Sequence, residues 1–230
     1  MSPPVVTIDG PAGSGKTTLG RRLAVALSLP LVDTGLLYRG VMVAAARARI
    51  DPYDRPALIA CARSAEIVID VDPTHDDADS SASVNGVEAG PALRDPANAP
   101  LLAAMSSIPE VRAALLSAQR SLATGGAVAV GRDCGTVVFP DAKLKLYLDA
   151  SEDVRARRRA RQLGGVGSDI DSALMRGEVR GRDQQDATRS AAPMRAAHDA
   201  HVIDTGVLGI AEVYQEALEL WAAASSADGQ

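Results

Sequence analysis

The chain opens with a change from a strand pattern to a helix pattern across a glycine-rich segment. Residues 4–8 are a short apolar run rich in β-branched residues, which predicts a buried strand. After the glycines, apolar residues recur at helical spacing: Leu19, Leu23, Ala26 and Leu27. We therefore predict a strand, a loop and a helix in that order.

Apolar runs and helical patterns then alternate along most of the chain. Further strands of a sheet are predicted at 29–32, 127–130, 143–149 and 201–204. Helices are predicted at 33–48, 97–124, 151–163, 169–189 and 209–224. Because strands that alternate with helices usually pair in parallel, the pattern predicts a three-layer α/β fold with a parallel sheet.

The stretch from about 50 to 100 interrupts this alternation. Residues 66–71 and 83–88 have the pattern of short strands around turns, and residues 73–83 are acidic, small and polar. We interpret the stretch as a compact insert with a loop near 73–83.

Composition places the chain among globular proteins. Its 230 residues are 47% hydrophobic and 23% charged, which suits one large domain with inserts. Charged residues interrupt the apolar stretches, and the start lacks the pattern of a signal peptide, so we expect a cytoplasmic protein without a membrane span. Cys61 and Cys134 have neither metal-site spacing nor the density of a disulfide scaffold.

The net charge of −5 gives no general attraction to nucleic acid or to an anionic membrane, so we expect neither as a partner. We also expect a monomer. An anionic ligand then needs a local cluster of positive charge. Only three of the 24 basic residues are lysines, and one of them, Lys16, lies in the glycine-rich segment. A lysine there indicates that a compact positive charge is needed.

The glycine-rich segment GPAGSGKT has the spacing of a phosphate-binding loop (P-loop), and it lies between a strand and a helix. Its backbone N–H groups would surround the β-phosphate of ATP, Lys16 would reach the β and γ oxygens, and the Thr17 hydroxyl would bind Mg²⁺. The residues predicted to bind ATP here are Gly10, Pro11, Ala12, Gly13, Ser14, Gly15, Lys16, Thr17 and Thr18. The alternative is a structural turn capped by Ser14 or Thr17, which leaves the lysine unexplained.

A P-loop is compatible with a switch GTPase, a transport ATPase or a kinase for a small acceptor. The guanine-reading motif N-K-x-D is absent, since Asn85 and Asn98 are the only asparagines. A transport ATPase needs a further domain to receive the work of hydrolysis, and the remaining length provides only about one domain. A kinase for a small acceptor is therefore favoured.

Four arginines are placed to hold such an acceptor. Arg39 and Arg132 follow predicted strands, where ligands bind in parallel sheets, and Arg182 and Arg189 lie seven residues apart on one helix face. A phosphate acceptor is already ionised at neutral pH, so arginines and Mg²⁺ suffice for catalysis without a general base.

The predicted helix 151–163 has an acidic first turn and a basic body, and Gly164, Gly165 and Gly167 follow it as a flexible tip. This pattern suits a lid that closes over the phosphates. Five arginines lie on the helix: Arg155, Arg157, Arg158, Arg159 and Arg161. At least half are expected to be a solvated face paired with Glu152 and Asp153, which leaves Arg158, and after it Arg155, as ATP ligands.

Several longer strings resemble the bacterial cytidylate kinase family, and the resemblance covers nearly the whole chain. They include TIDGPAGSGKTT, VDTGLLYRG, PEVRAALLSAQR, RGRDQQDATRSAAPM and HVIDTG, and the most diagnostic is GRDCGTVVFPDA. The resemblance implies a P-loop kinase fold with five parallel strands in the order 2-3-1-4-5. It also implies a core of about 1–35, 105–155 and 188–230, an acceptor-binding segment with an insert at about 36–104, and a lid at about 156–187.

The resemblance also implies a task for each residue of the acceptor site. The acceptor phosphate would be held by Arg39, Arg132 and Arg189. The sugar hydroxyls would be bound near Arg182 and Asp186. The cytosine edge would be read by Arg112 and Asp133, in a pocket lined by Thr34 and Tyr38. Catalysis would depend on Lys16, Arg132, Arg182 and Arg189.

Some of these residues also have purely structural interpretations. Asp133 would cap the following turn, Tyr38 would lie in the core, and Asp33 would be a helix N-cap. Asp204 and Thr205, after the last strand, would approach the adenine of ATP by analogy with the family. The histidines His75, His198 and His201 are scattered and are expected to be neither ligands nor bases.

The implied reaction is ATP-dependent phosphorylation of CMP and dCMP. One departure bears on the acceptor: the family usually has a serine nine residues before the base-reading arginine, and this chain has Ala103, with Ser106 and Ser107 one turn away. Weaker discrimination between CMP and UMP would follow. The alternatives are a kinase for another small acceptor, such as UMP, and a nucleotide-binding regulator without catalysis.

Overall fold

The computed structural model describes residues 3–74, 82–164 and 172–226. Its strands, in chain order, are β1 (Val5–Asp9), β2 (Leu31–Asp33), β3 (Ile67–Ile69), β4 (Ala82–Val84), β5 (Val87–Glu88), β6 (Ala127–Val130), β7 (Leu144–Asp149) and β8 (His201–Asp204). Its α-helices are α1 (Lys16–Leu27), α2 (Thr34–Arg47), α3 (Arg55–Ser64), α4 (Ala99–Ser106), α5 (Pro109–Ser121), α6 (Glu152–Gly164), α7 (Ser172–Thr188) and α8 (Ile210–Ser226).

Five strands form a parallel sheet in the order β2-β6-β1-β7-β8. Numbered along the chain among themselves, these strands have the order 2-3-1-4-5. The expected α/β fold and its sheet topology are therefore confirmed.

The register brings the carboxyl ends of the inner strands to one edge of the sheet. Asp9 pairs with Tyr147, and Ile8 pairs with Val130. The P-loop leaves β1 at this edge, and the segment with Arg132 leaves β6 beside it. Ligands bind at this edge in open parallel sheets, so the two segments are placed to share one site.

Helices cover both faces of the sheet because successive strand residues point to opposite sides. Ile8 and Leu146 face α1 and α8, where they join a cluster with Leu23 and Val213. The hydrophobic cluster on the other face of the sheet is smaller. It contains Val32 and Ala129 together with Ala123, just after α5. This arrangement gives the three layers that the alternation predicted.

Residues between β2 and β6 build a second core beside the sheet. Helices α2 to α5 and the antiparallel sheet β3-β4-β5 share it. The sequence prediction missed α3, although its start is marked: the Asp54 carboxylate accepts a hydrogen bond from Ala57 N at 3.0 Å, and Pro56 lies in the first turn. The boundaries predicted for the core, the acceptor-binding segment and the lid stay predictions.

The short strands predicted at 66–71 and 83–88 are present as an antiparallel sheet of three strands, in which the first range contains β3 and the second contains most of β4, a turn and β5. Asn85 and Gly86 turn between β4 and β5 with φ of 53° and 75°, as an Asn-Gly hairpin turn requires. The predicted loop ends too late, because Ala82 and Ser83 belong to β4. The loop residues 75–81 lie outside the described residues.

The helix predicted over 97–124 is two helices. Ile108 has extended backbone (φ −83°, ψ 116°), because the ring of Pro109 disfavours helical backbone in the residue before it. The segments Pro96–Ser106 and Pro109–Ser121 are bent by 96°. The bend lets Arg112 of α5 reach the end of α4, where it donates to the Ser106 carbonyl at 3.3 Å.

Helices α6 and α7 form the region predicted as a lid, and the predicted tip residues Gly165 and Gly167 lie outside the described residues. In the described parts of the chain no single helix is long and apolar enough to cross a membrane. The bent pair Pro96–Ser106 and Pro109–Ser121 reaches that length and composition only when its two segments are taken together.

Candidate active site

The P-loop presents the start of α1 without a protein cap. Gly10, Gly13 and Gly15 have positive φ, and Gly15, the N-cap, offers no side chain. A Cβ on Gly10 would collide with the Leu148 carbonyl, so this turn requires glycine. Within the described part of the chain, the Ser14 hydroxyl is buried without a hydrogen-bond partner and no side chain caps α1. The interpretation as a turn capped by Ser14 or Thr17 is therefore wrong, and the first N–H groups of α1 remain available to an anion.

Lys16 lies under the loop and donates to the Pro11 carbonyl at 2.7 Å. Burial, and then repulsion from Arg132 and Arg182, lowers the pKa of Lys16 well below its usual value. Asp9 and Asp33 act in the opposite direction without cancelling this effect. A lysine crowded by arginines in this way is a site that an anion would stabilise.

Arg132 joins the P-loop to the opposite wall of the cleft. Its Nη1 donates to the Gly10 carbonyl and its Nε donates to Asp186 Oδ2 at 2.9 Å. The other oxygen of Asp186 accepts from Arg189 Nη1 at 3.2 Å. Asp186 therefore holds two of the predicted phosphate-binding arginines side by side.

Arg189 is buried, with 6% of its side chain exposed. Its Nε donates to the Ala192 carbonyl at 2.6 Å, while its Nη2 lies 3.5 Å from Asp133 Oδ1 and has no hydrogen-bond partner among the described residues. Burial, and then Arg112, lowers the pKa of Arg189. One of its donors is thus left for a ligand.

Asp133 and Arg112 form a buried ion pair at the far end of the cleft. The Asp133 side chain does not cap the turn that follows it, so that interpretation is wrong. Arg112 lies over the ring of Tyr38, with its Cζ 5.2 Å from the ring centroid. Tyr38 is buried in the acceptor-side core, as its structural interpretation predicted, and it also lines this wall. Burial raises the pKa of Tyr38 to about 12.

Thr34 lies beside this pair. Its hydroxyl donates to the Val130 carbonyl at 3.0 Å and lies 3.6 Å from Cys134 Sγ. Asp33 is the N-cap of α2, as predicted, with its carboxylate accepting from Gly35 N at 2.9 Å. These bonds fix the start of α2, which carries Tyr38 and Arg39.

Two arginines between the P-loop and the acceptor side lack a carboxylate partner among the described residues. Arg39 donates to the Leu93 carbonyl at 2.7 Å, and Arg182 makes no hydrogen bond or ion pair with the described residues. Although Arg182 is exposed, partial desolvation by the atoms around its guanidinium, followed by the charges of Arg132 and Arg39, lowers its pKa to about 10. Burial also lowers the pKa of Arg39, with Arg94, Arg159 and Arg132 adding to the effect.

Arg159 is a further cation of this cluster that the sequence analysis did not single out. It makes no hydrogen bond or ion pair with the described residues, and its charge lowers the pKa of both Arg39 and Arg182. Arg159 could not be singled out from the sequence, because a run of arginines does not show which of their side chains point toward the cleft.

The other arginines of α6 divide between the cleft and solvent, but the expectation that at least half of the five form a solvated face is wrong, because only two of the five are exposed. Arg157 and Arg161 are exposed. Arg158 donates to the Thr205 hydroxyl at 2.9 Å and carbonyl at 2.6 Å, and it lies 3.5 Å from the Gly13 carbonyl. Glu152 and Asp153 pair with Arg180 and Arg176 of α7, however, and not with arginines of α6. That part of the expectation is wrong.

Thr205 brings the end of β8 to the P-loop. Its hydroxyl donates to the Ser14 carbonyl at 3.0 Å, whereas Asp204 accepts from Gly206 N at 2.7 Å and stabilises a turn. Of the histidines, His198 and His201 are exposed, and His75 lies outside the described residues. The predicted approach of Asp204 and Thr205 to adenine stays a prediction.

Asp9 is a buried residue of the site that the sequence analysis missed. Its two carboxylate oxygens accept from Cys134 N at 2.8 Å and Gly135 N at 2.7 Å. They fix the turn that follows Arg132 and Asp133. Its position, last in β1 and directly before the P-loop, is a signal that could have identified it.

The titration of Asp9 gives a testable pH dependence. Burial raises its pKa to about 6. The pKa of an aspartate in the unfolded chain is about 3.9, so the native state holds the Asp9 proton more tightly than the unfolded state does. The stability that Asp9 contributes therefore falls as the pH rises from about 4 to about 6. Relative to Asp9→Asn, the wild type should lose about 3 kcal/mol of unfolding free energy between these limits. Denaturant unfolding at several pH values measures this, and a pH-independent difference between the two proteins would contradict it.

The chain is similar to known proteins over nearly its whole length. The cytidylate kinase family model matches residues 6–223. A cytidylate kinase from Methylocella silvestris is 44% identical over 216 residues, which cover 93% of this chain and 92% of the relative. The solved structure of an uncharacterized protein from Eubacterium ventriosum superposes with a TM-score of 0.50 at 12% identity, covering 94% of this chain and 96% of that one, and this likeness concerns the fold alone.

The expected P-loop kinase fold is thus confirmed, and so is the resemblance stated from the sequence strings. The family match spans the P-loop, the arginine cluster and the Arg112–Asp133 pair together. The chain therefore belongs to the cytidylate kinase family, phosphotransferases that use ATP to phosphorylate a nucleoside monophosphate.

Proposed function

We propose that the protein transfers the γ-phosphoryl group of ATP to CMP and dCMP, with Mg²⁺, to give ADP and CDP or dCDP. The observation that carries this proposal is the crowding of Lys16, Arg39 and Arg182 around Arg132, with no ion pair between any of the three and a carboxylate of the described residues. After burial, the charge of Arg132 lowers the pKa of all three, and the nearby carboxylates do not cancel this effect. Anions bound among these cations would relieve the repulsion.

The donor end is supported by the uncapped start of α1 and by Lys16. ATP would place its phosphates on the N–H groups of residues 13–18, with Lys16 between the β and γ oxygens. Arg158 lies 3.5 Å from the Gly13 carbonyl, so a short movement of its side chain would bring it to the same phosphates.

The magnesium ion would bind beside the P-loop. Thr17 lines one small cavity next to it, together with Asp33 and Arg21. Among the described residues no group of three or more His, Cys, Asp or Glu side chains could hold a metal ion by itself, but the Thr17 hydroxyl is an oxygen donor of the kind that Mg²⁺ prefers, so this residue fits the ion. Thr17 would bind it directly together with phosphate oxygens, and the ion would neutralise charge on the transferred group.

The acceptor end is supported by the arginines around Asp186 and by the buried Arg112–Asp133 pair. Arg39, Arg132 and Arg189 would hold the phosphate of CMP, and Arg182 and Asp186 would lie near its sugar. Asp133 would accept from the cytosine amine, and Arg112 would donate to N3 or O2. Lys16, Arg132, Arg182 and Arg189 would stabilise charge on the transferred phosphoryl group without a general base.

A panel of acceptors tests this proposal. ADP release would be measured with CMP, dCMP, UMP, AMP and dTMP at saturating ATP and Mg²⁺. We expect the highest kcat/KM with CMP and dCMP. A different preferred acceptor would contradict the base assignment, and ATP binding without acceptor-dependent turnover would identify a regulator.

UMP is the second candidate acceptor, and Ala103 favours it. The Ser106 hydroxyl donates to the Ala103 carbonyl at 3.2 Å and the Ser107 hydroxyl donates to the Ala104 carbonyl at 2.6 Å, so both hydroxyls turn back on their own helix. The base would then be read mainly by Arg112 and Asp133.

Restoring a hydroxyl at this position should sharpen the choice of base. We expect Ala103→Ser to raise the ratio of kcat/KM for CMP over UMP by about fivefold, since one added hydrogen bond contributes about 1 kcal/mol. Ser107→Ala is the matched control and should leave the ratio unchanged. A ratio that falls in the control would mean that Ser107 already contacts the base.

A further inference from the structure

Asp183, one residue after Arg182 on α7, connects the lid to the P-loop. Its Oδ1 accepts a hydrogen bond from Ala12 N at 3.1 Å, and its Oδ2 is paired with Arg155 Nη1. Arg155 lies on α6, and its Nη1 also donates to the Ala12 carbonyl at 3.2 Å. The two lid helices therefore hold both backbone polar groups of one P-loop residue.

This connection is buried, unlike the other described ion pairs between the two helices. The Arg155 and Asp183 side chains are 7% and 14% exposed, whereas those of Arg176 and Asp153 are 50% and 57% exposed. An exposed ion pair contributes little because solvent and side-chain entropy oppose it. A buried pair that also binds backbone groups fixes geometry more strongly.

Asp183 lies on the helix face that carries the acceptor-side residues. Arg182 precedes it, and Asp186 follows three residues later on the same side. Asp186 accepts from Arg132 at 2.9 Å, and Arg132 in turn donates to the Gly10 carbonyl. Helix α7 is therefore linked to the P-loop directly through Asp183 and indirectly through Asp186 and Arg132.

We propose that Asp183 is a positioning residue, whose carboxylate docks α7 on Ala12 of the P-loop and so sets the place of Arg182 relative to Lys16. This proposal rests on the proposed function, because Arg182 and Lys16 act there on the same phosphoryl group. Asp183 itself touches neither substrate. Loss of the contact should impair alignment during transfer more than binding of either substrate.

The test compares Asp183→Asn with Asp153→Asn, which breaks the exposed α6–α7 ion pair. We expect Asp183→Asn to lower kcat by about 10- to 100-fold, with KM for ATP and for the acceptor changed less than threefold. Asp153→Asn should leave kcat within twofold. Equal effects of the two variants, or an unchanged kcat in Asp183→Asn, would overturn the proposal.

A second pair of variants separates docking from general stability. Arg155→Lys keeps the charge, but its shorter side chain loses the Nε that donates to the Ala150 carbonyl and orients the Nη1 that contacts both Asp183 and Ala12. It should therefore lower kcat to a similar extent. The double variant should be no slower than the slower single variant, because both remove one interaction. Additive losses would contradict a shared contact. If Asp183→Asn does not fold, as judged by circular dichroism, Arg155→Lys alone carries this test.

Amide hydrogen exchange tests the docking without any turnover. In the protein without nucleotide, exchange in residues 172–188 should be faster in Asp183→Asn than in the wild type, and unchanged in Asp153→Asn. Unchanged exchange in Asp183→Asn would overturn the proposal. Wild-type protein that phosphorylates none of the five acceptors would instead contradict the proposed function, while the exchange result would still decide the docking.

Discussion

Lys16→Met should lower kcat by about 10²- to 10³-fold, because in the proposed reaction it removes the positive charge that would stabilise the transferred phosphoryl group. The fold should survive the change. Burial and the neighbouring Arg132 and Arg182 already disfavour the charged form of Lys16, as its lowered pKa indicates. We therefore expect an unchanged or higher melting temperature together with the loss of activity.

Lys143→Met is the matched control, since Lys143 lies with its Nζ 5.5 Å from the centroid of the Trp221 ring, away from the P-loop. Steady-state kinetics with ATP and CMP and a thermal melt of each variant are sufficient. Activity in Lys16→Met near the wild-type level would remove the lysine from the chemistry. A melting temperature that drops together with activity would show that the loss reflects unfolding.

The elements of the parallel sheet were predictable because their signals are local. β1 and the P-loop are adjacent in sequence, and the alternation of apolar runs with helical patterns fixed the fold class. The order of the strands depends on pairing between distant segments, such as β1 with β6 and β7, and it came from the resemblance to the family.

The errors in the predicted helices also have physical reasons. Helix α3 was missed because the composition of residues 50–100 indicated a polar insert. The helix start that Asp54 marks as N-cap was therefore not recognised. The break at Pro109 was missed because Ala-rich periodicity continues across it, although a proline favours extended backbone in the residue before it.

The site was harder to predict from the sequence than the fold, because contacts between residues far apart in the chain hold it together. Asp9 binds N–H groups more than 120 residues away, and Asp183 binds Ala12 across 171 residues. Such partners have no periodicity in the sequence. Two of the four predicted acceptor arginines do meet, since Arg132, placed by a strand end, contacts Gly10 and shares Asp186 with Arg189, placed by a helix face. Their roles toward ATP and CMP stay predictions.

The pairing of Asp186 has a consequence for acceptor binding. Asp186 is expected near the sugar, yet it pairs with Arg132 and Arg189. A phosphate that enters between these arginines brings two negative charges and so competes with the carboxylate for their donors. Asp186 would then be released toward the sugar at the moment the phosphate is bound.

Arg189→Ala should lower kcat/KM for CMP by about 10³-fold, because Arg189 would hold the acceptor phosphate and stabilise charge in the transition state. The fold should tolerate the change. After the arginine is removed, Asp133 keeps its pair with Arg112 and Asp186 keeps its bond to Arg132. Neither carboxylate is left buried without a partner, so the large cost of an uncompensated buried charge is avoided.

Arg189→Lys and Arg55→Ala complete the comparison. The lysine variant keeps a charge but loses the planar fork, so an intermediate loss is expected. Arg55 pairs with Glu110 on the surface, where the two side chains are 54% and 44% exposed, and its removal should leave kinetics unchanged. The acceptor phosphate is placed beside Arg132 and Arg189 because Asp186 holds these two arginines side by side. If Arg189→Ala retained full kcat/KM, the phosphate would have to bind elsewhere. A loss confined to KM would instead mean that Arg189 binds the acceptor equally before and during transfer.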